Sequence, residues 1–86
     1  MNYRVIWVPR AEQELAELWL NAPNRDAVTR AAQEIDELLR KGPSDEGESR
    51  PRGRRILFRL PLAVVFTVQP QDHLVTVLNV WRVKKK

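Results

Sequence analysis

Six arginines crowd the C-terminal half of the chain: Arg50, Arg52, Arg54, Arg55, Arg59 and Arg82. A guanidinium fork grips two phosphate oxygens at once, and clustered arginines give sequence-independent affinity for RNA or DNA. Cutting RNA through its 2′-hydroxyl needs cations against the phosphate and groups that move protons. Arg55, Arg59 and Arg82 are the candidate catalytic cations, and Glu48, in the run Glu48-Ser49-Arg50, is the candidate proton acceptor. Arg50, Arg52, Arg54, Lys84 and Trp81 are candidate nucleic-acid contacts, Trp81 because an indole can stack on a base. Each has a plainer reading. An arginine face also solubilises a protein or docks an acidic partner. A Glu-Ser-Arg run more often fixes a loop by hydrogen bonds and a local ion pair. Trp81 is expected to pack in the core against Trp7 or Leu57, with a rim position as the alternative.

Other chemistries are poorly supplied. The chain has no cysteine and one histidine, which leaves no disulfide, thiolate site, multi-histidine metal centre or Ser-His-Asp triad. His73 precedes the last strand pattern and reads as an exposed turn residue; Tyr3 is the sole tyrosine and opens the first strand. No metal and no cofactor are expected. Residues 50–86 carry a net charge of +8 and residues 1–49 carry −4, giving the +4 of the whole chain. No 18-residue apolar run marks a membrane span, and the N-terminus lacks a signal-peptide pattern. A cytoplasmic location is the expectation, with residues 1–86 forming one domain.

The elements that position these residues follow from periodicity. Tyr3 to Val8 is β-branched and aromatic, with Tyr3, Val5 and Trp7 on one face and Arg4, Ile6 and Val8 on the other. Pro9 suits the first position of a helix, and Ala11, Leu15, Leu18, Trp19 and Ala22 recur at helical spacing. Asn24 reads as the N-cap of a second helix with the stripe Val28, Ala31, Ala32, Ile35, Leu38 and Leu39. Arg40-Lys41 and Gly42-Pro43 close it. The helices, 9–22 and 24–41, are expected to pack as an antiparallel hairpin. Residues 44–53 read as a polar loop. Three strand patterns follow, 55–60, 62–68 and 74–83, whose short breaks predict an antiparallel meander. The predicted fold is α+β: a four-stranded sheet with both helices on one face and arginines on a partly open opposite face.

This order of elements resembles the RelE/ParE superfamily, the small basic partners in type II toxin–antitoxin modules. The resemblance is carried by Tyr3-Arg4-Val5, Pro9, Ala11, Leu15, Trp19, Ile35 to Leu39 with Pro43, and the strands Ala63 to Val68 and Val75 to Val80. Glu48-Ser49-Arg50, Pro61-Leu62 and Val80-Trp81-Arg82 look like a subgroup pattern within it. It implies a growth-inhibiting toxin, an antitoxin protein as partner, and either ribosome-dependent mRNA cleavage or another essential target. The alternatives are a toxin that blocks DNA gyrase without chemistry, and a non-toxic interaction domain. Departures bear on this choice. The endoribonucleases of the superfamily usually have an arginine where Ala63 stands, and a tyrosine or histidine near the C-terminus where this chain reads Val83-Lys84-Lys85-Lys86. Arg59 and either Arg82 or Lys84 are the matches for their other basic residues.

Overall fold

The computed structural model describes residues 2–84. Strand β1 (Arg4–Trp7) runs into helix α1 (Pro9–Asn21) and then α2 (Arg25–Lys41). Four further strands follow: β2 (Glu48–Arg50), β3 (Arg54–Arg59), β4 (Leu62–Gln69) and β5 (Leu74–Arg82). Among the described residues no helix is long and apolar enough to cross a membrane.

Helix α2 begins and ends where its capping residues dictate. The Asn24 side-chain oxygen accepts the Ala27 N–H at 3.1 Å, satisfying a donor that the first turn cannot. At the other end the Gly42 N–H donates to the Leu38 carbonyl at 3.1 Å before Pro43 forbids continuation. Arg40 and Lys41 complement the helix dipole and reach back to Asp36 at 2.7 Å and Glu37 at 3.4 Å. Val28, Ala31, Ile35 and Leu39 are buried; steps of three and four residues put them on one face. Leu38, on the flank of this stripe, is only half-buried. In α1, Pro9 supplies the first position and Ala11 is the buried residue, with Leu15 and Leu18 packed beside the core.

The sheet is mixed, in the order β1-β5-β4-β3-β2, with β1 parallel to β5 and every other pair antiparallel. The predicted meander is β3, β4 and β5. The sheet has five strands where four were expected. The fifth is β2, inside the stretch read as a polar loop, with Glu48 opposite Ile56, Ser49 opposite Arg55 and Arg50 opposite Arg54. All three of its residues are exposed. It is held by backbone pairing and carries no apolar alternation to betray it.

Gly47 makes that pairing possible. Its φ is +73°, and a Cβ there would lie 2.5 Å from the Ile56 carbonyl oxygen. Neither the conformation nor the close approach tolerates a side chain. Gly47→Ala is therefore expected to destabilise the fold by more than about 1 kcal/mol and to release β2 from β3. Hydrogen exchange at Ile56 checks it: an unchanged rate would mean that the edge strand does not depend on this glycine.

One sheet face builds the core. Leu57, Val64 and Val80 form one cross-strand row, and Phe66 and Val77 continue it, against Ala11, Val28, Ala31, Ile35 and Leu39 of the helices. Tyr3, Val5 and Trp7 pack at its margin, as the alternation in β1 predicts. Both helices thus lie on one face. A β-bulge interrupts the β4–β5 ladder: Val65 pairs Asn79 but Phe66 pairs Val77, which leaves Leu78 as the extra residue. Glu14 of α1 spans it, its carboxylate accepting the Val80 N–H at 3.1 Å and lying 3.4 Å from the Asn79 amide.

Candidate functional surfaces

Residues directly opposite one another in an antiparallel ladder share a face, so the register assigns every strand-borne site residue to one side of the sheet. Glu48 pairs Ile56, and Arg50 pairs Arg54. These four lie on the open face with Phe58, Ala63, Val65, Thr67 and Trp81. Arg55 pairs Phe66, and Arg59 pairs Leu62, which in turn pairs Arg82. Phe66 and Leu62 are wholly buried on the helix side, so Arg55, Arg59 and Arg82 stand on the face opposite Glu48. The four residues expected to cooperate in cleavage are divided between two faces.

Their bonding reinforces the division. The Arg55 guanidinium donates to the Glu46 carbonyl at 2.8 Å, the Ser49 hydroxyl at 2.9 Å and the Gly47 carbonyl at 3.0 Å. It ties the 46–49 segment to β3. Glu48 is exposed and accepts from Arg50 at 3.1 Å, while Arg50 also donates to the Ser49 carbonyl at 2.8 Å. This is the loop-fixing arrangement that a Glu-Ser-Arg run suggests. Arg59 donates to the Phe58 carbonyl at 2.9 Å and lies 3.9 Å from the Glu46 carboxylate. Arg82 is half-buried at the end of β5, beside exposed Lys84, and both border clefts formed with the α1 and α1–α2 residues. Lys85 and Lys86 lie outside the described residues. His73 is exposed, in the left-handed region at φ 49°, its ring 5.4 Å edge-on from that of Tyr3.

The candidate nucleic-acid contacts fare differently. Arg50, Arg54 and Trp81 share the open face, and Arg52 sits in the turn between β2 and β3 at φ 68°. Trp81 is not in the core: it is 38% exposed. Val80 points inward, and strand alternation sends the next residue outward. Trp81 pairs Ala63, which pairs Phe58, so two aromatic side chains flank one small residue. Ala63 is fully covered, and an arginine there would have to displace both rings. Strand spacing of ~4.8 Å and rise of ~3.3 Å per residue put Arg54 about 16 Å from Trp81, with Ile56, Phe58 and Val65 between. The open face therefore grades from basic at one end to aromatic at the other.

A second surface lies on the helix hairpin. Between α1, α2 and β1 runs a groove of about 1210 Å³, floored by Val5, Trp7, Leu15 and Val28, with Trp19 and Leu20 at its mouth. Leu20 is 59% exposed. Its signal in the sequence is an apolar residue just off the Leu15–Leu18–Trp19–Ala22 stripe, which widens the apolar arc of α1 beyond what the core needs. The groove is held in shape by Trp19, whose indole N–H donates to the Thr29 hydroxyl at 3.1 Å. Arg25 stacks 4.7 Å from the centre of the indole ring and donates to the Leu20 carbonyl at 3.1 Å. The groove adjoins the free edge of β1. Arg4 and Val8 donate toward β5, so the N–H groups of Val5 and Trp7 point away from the sheet. Among the described residues no group of acidic, cysteine or histidine side chains could hold a metal ion.

No family model and no curated protein matches the sequence. Solved structures do match the fold. The RelBE2 toxin–antitoxin complex of Mycobacterium tuberculosis contains a chain that superimposes with a TM-score of 0.79 at 19% identity, covering 95% of this chain and 99% of that one. The chromosomal ParDE toxin–antitoxin system of P. aeruginosa gives 0.65 at 22% identity, covering 95% and 97%. The isolated E. coli RelE toxin gives 0.68 at 14% identity, covering 98% and 87%. Strand, helix hairpin and mixed sheet thus correspond nearly end to end, and the fold is the RelE/ParE-like α+β fold.

Proposed function

We propose that this chain is the toxin of a type II toxin–antitoxin pair, that it inhibits growth by binding a target, and that its antitoxin seats in the helix groove. The reading rests on the near end-to-end correspondence with folds from toxin–antitoxin assemblies. Two features support binding over RNA cleavage. Glu48 and the cations Arg55, Arg59 and Arg82 stand on opposite faces, so the expected proton acceptor does not adjoin the expected phosphate ligands. Ala63 occupies a covered site between Phe58 and Trp81 where the endoribonucleases carry an arginine. The aromatic and basic open face is the target surface on this reading, and DNA gyrase is the target class that the non-catalytic branch suggests. The groove supports the antitoxin assignment, since a preformed apolar trough beside a free strand edge accepts an amphipathic helix or an added strand.

Induced expression in a bacterial host, with growth, plasmid supercoiling and mRNA 5′ ends followed together, tests the reading. Growth arrest with altered supercoiling and no new 5′ ends is expected. New 5′ ends that vanish in both Glu48→Gln and Arg82→Ala would establish an mRNA-cleaving enzyme instead. Undisturbed growth at verified expression would leave only the non-toxic interaction domain.

A further inference from the structure

The inward row of β5 breaks step. Val75, Val77 and Val80 are buried, a spacing of two and then three residues where a strand repeats every two. The break is the bulge at Leu78, and it sets the phase of everything after it. With the bulge, Val64 pairs Val80, Ala63 pairs Trp81 and Leu62 pairs Arg82. An unbroken ladder continuing from Phe66 and Val77 would instead set Val64 against Asn79, Ala63 against Val80 and Leu62 against Trp81. Trp81 would then stand on the helix side and leave the open face. We infer that Asn79 is the positioning residue that selects the bulged register and so places Trp81 on the open face.

Much favours the unbroken ladder. Strand β1 pairs β5 as far as Trp7 and Val77, so beyond that point it does not hold β5 in phase. Leu78 would regain a partner in Val65. A cleft of about 410 Å³ between α1 and the end of β5 lies where Trp81 would arrive, and the indole, 38% exposed where it is, would gain cover. Asn79 opposes the change. In the unbroken ladder its amide would join the row of Leu57 and Val64, both buried, with donors and an acceptor to satisfy among apolar groups. In the bulged register apolar Val80 takes that place. The Asn79 amide then lies at the strand edge, 3.4 Å from both Glu14 carboxylate oxygens. The bond from the Val80 N–H to Glu14 does not choose between the registers, because the N–H of whichever residue faces Val64 points the same way. The side chain at position 79 does.

Cross-strand NOEs between assigned resonances of the whole chain read the register. The parent and Asn79→Thr are expected to show Trp81 opposite Ala63. Asn79→Val, close in shape to the threonine variant but without its hydroxyl, is expected to bring Trp81 opposite Leu62. Removal of Leu78 deletes the bulged residue, so Trp81 should stay opposite Ala63, with or without Asn79→Val. From an ordinary strand the same deletion would turn over every side chain beyond it. Trp81 opposite Ala63 in Asn79→Val, or opposite Leu62 after removal of Leu78, would overturn the assignment. If Asn79→Val alone does not fold, the double variant decides. Folded with Trp81 opposite Ala63, it shows that the substitution acts through the register; equally unfolded, it overturns the role of Asn79.

The consequence for growth rests on the proposed target surface, whereas the NOEs do not. Arrest retained by Asn79→Thr and lost by Asn79→Val is expected. Undiminished arrest with Trp81 moved would remove Trp81 from the target surface. A parent that leaves growth undisturbed would overturn the toxin reading and leave the register assignment standing.

Discussion

Phe66→Ala is expected to cost ~3–5 kcal/mol of folding stability. A domain of this length has a total stability of about 4–13 kcal/mol at ~0.05–0.15 kcal/mol per residue, so the variant should be substantially unfolded at 37 °C. Phe66 is fully buried and stands mid-sheet, flanked by Arg55 on β3 and Val77 on β5. Its ring fills the space beneath α2, and its neighbours Val64, Val75 and Val77 are short, β-branched and fixed by the strands. Such side chains have little freedom to move into the void, so the cavity persists and the upper part of the range applies. Phe58→Ala is the matched control: the same substitution one strand away, on the open face, where Phe58 is 45% exposed. It should cost less than about 2 kcal/mol, because much less area leaves contact with protein. Urea unfolding of both variants decides the matter. Equal midpoints would mean that the sheet buries its two faces alike.

The same two-sidedness explains what could be read from the chain and what could not. Helix α2 was readable almost to the residue because its limits are written in local chemistry: Asn24 caps one end, and Gly42 and Pro43 stop the other. The three long strands were readable because β-branched runs alternate against a core. Strand β2 was not, since pairing through backbone leaves no mark on Glu48-Ser49-Arg50. The role of Arg55 was hidden for a related reason: two of its three partners are carbonyl oxygens, and every residue has one. The arginine-rich stretch looked like one constellation because residues adjacent in sequence were read as adjacent in space. Strand alternation instead sends Arg54 and Arg55 to opposite faces, and the same rule, applied to Val80, would have placed Trp81 outside. Leu20 was passed over because an apolar residue off a helical stripe is ordinary until the opposite wall of a groove is seen.

If the proposed antitoxin seats in the helix groove, Leu20→Glu is expected to weaken its binding by at least about a hundredfold, without unfolding this chain. Leu20 projects at the mouth of the α1–α2–β1 groove, and at 59% exposure it contributes little to the core of the isolated chain. A carboxylate there stays hydrated in the free protein. Once an apolar segment covers the groove, the same charge must be stripped of water beside an Arg25 already committed to the Leu20 carbonyl and the Trp19 ring, a penalty of several kcal/mol. A loss of ~2.8 kcal/mol already corresponds to a hundredfold, and apolar anchors at the centre of such a trough commonly reach that scale. The second arm is Phe58→Glu on the open face, which should leave antitoxin binding intact while abolishing growth inhibition if that face meets the target. Calorimetry of the purified pair, with urea midpoints to confirm that both variants fold, measures the first effect. Co-expression reads the second, since Leu20→Glu should arrest growth even beside its antitoxin. The reverse pattern, with Phe58→Glu losing the antitoxin and Leu20→Glu keeping it, would move the partner from the helices to the sheet. The toxin would then be silenced by direct cover of its target surface, whereas a partner in the groove must act by reaching over the edge of β1.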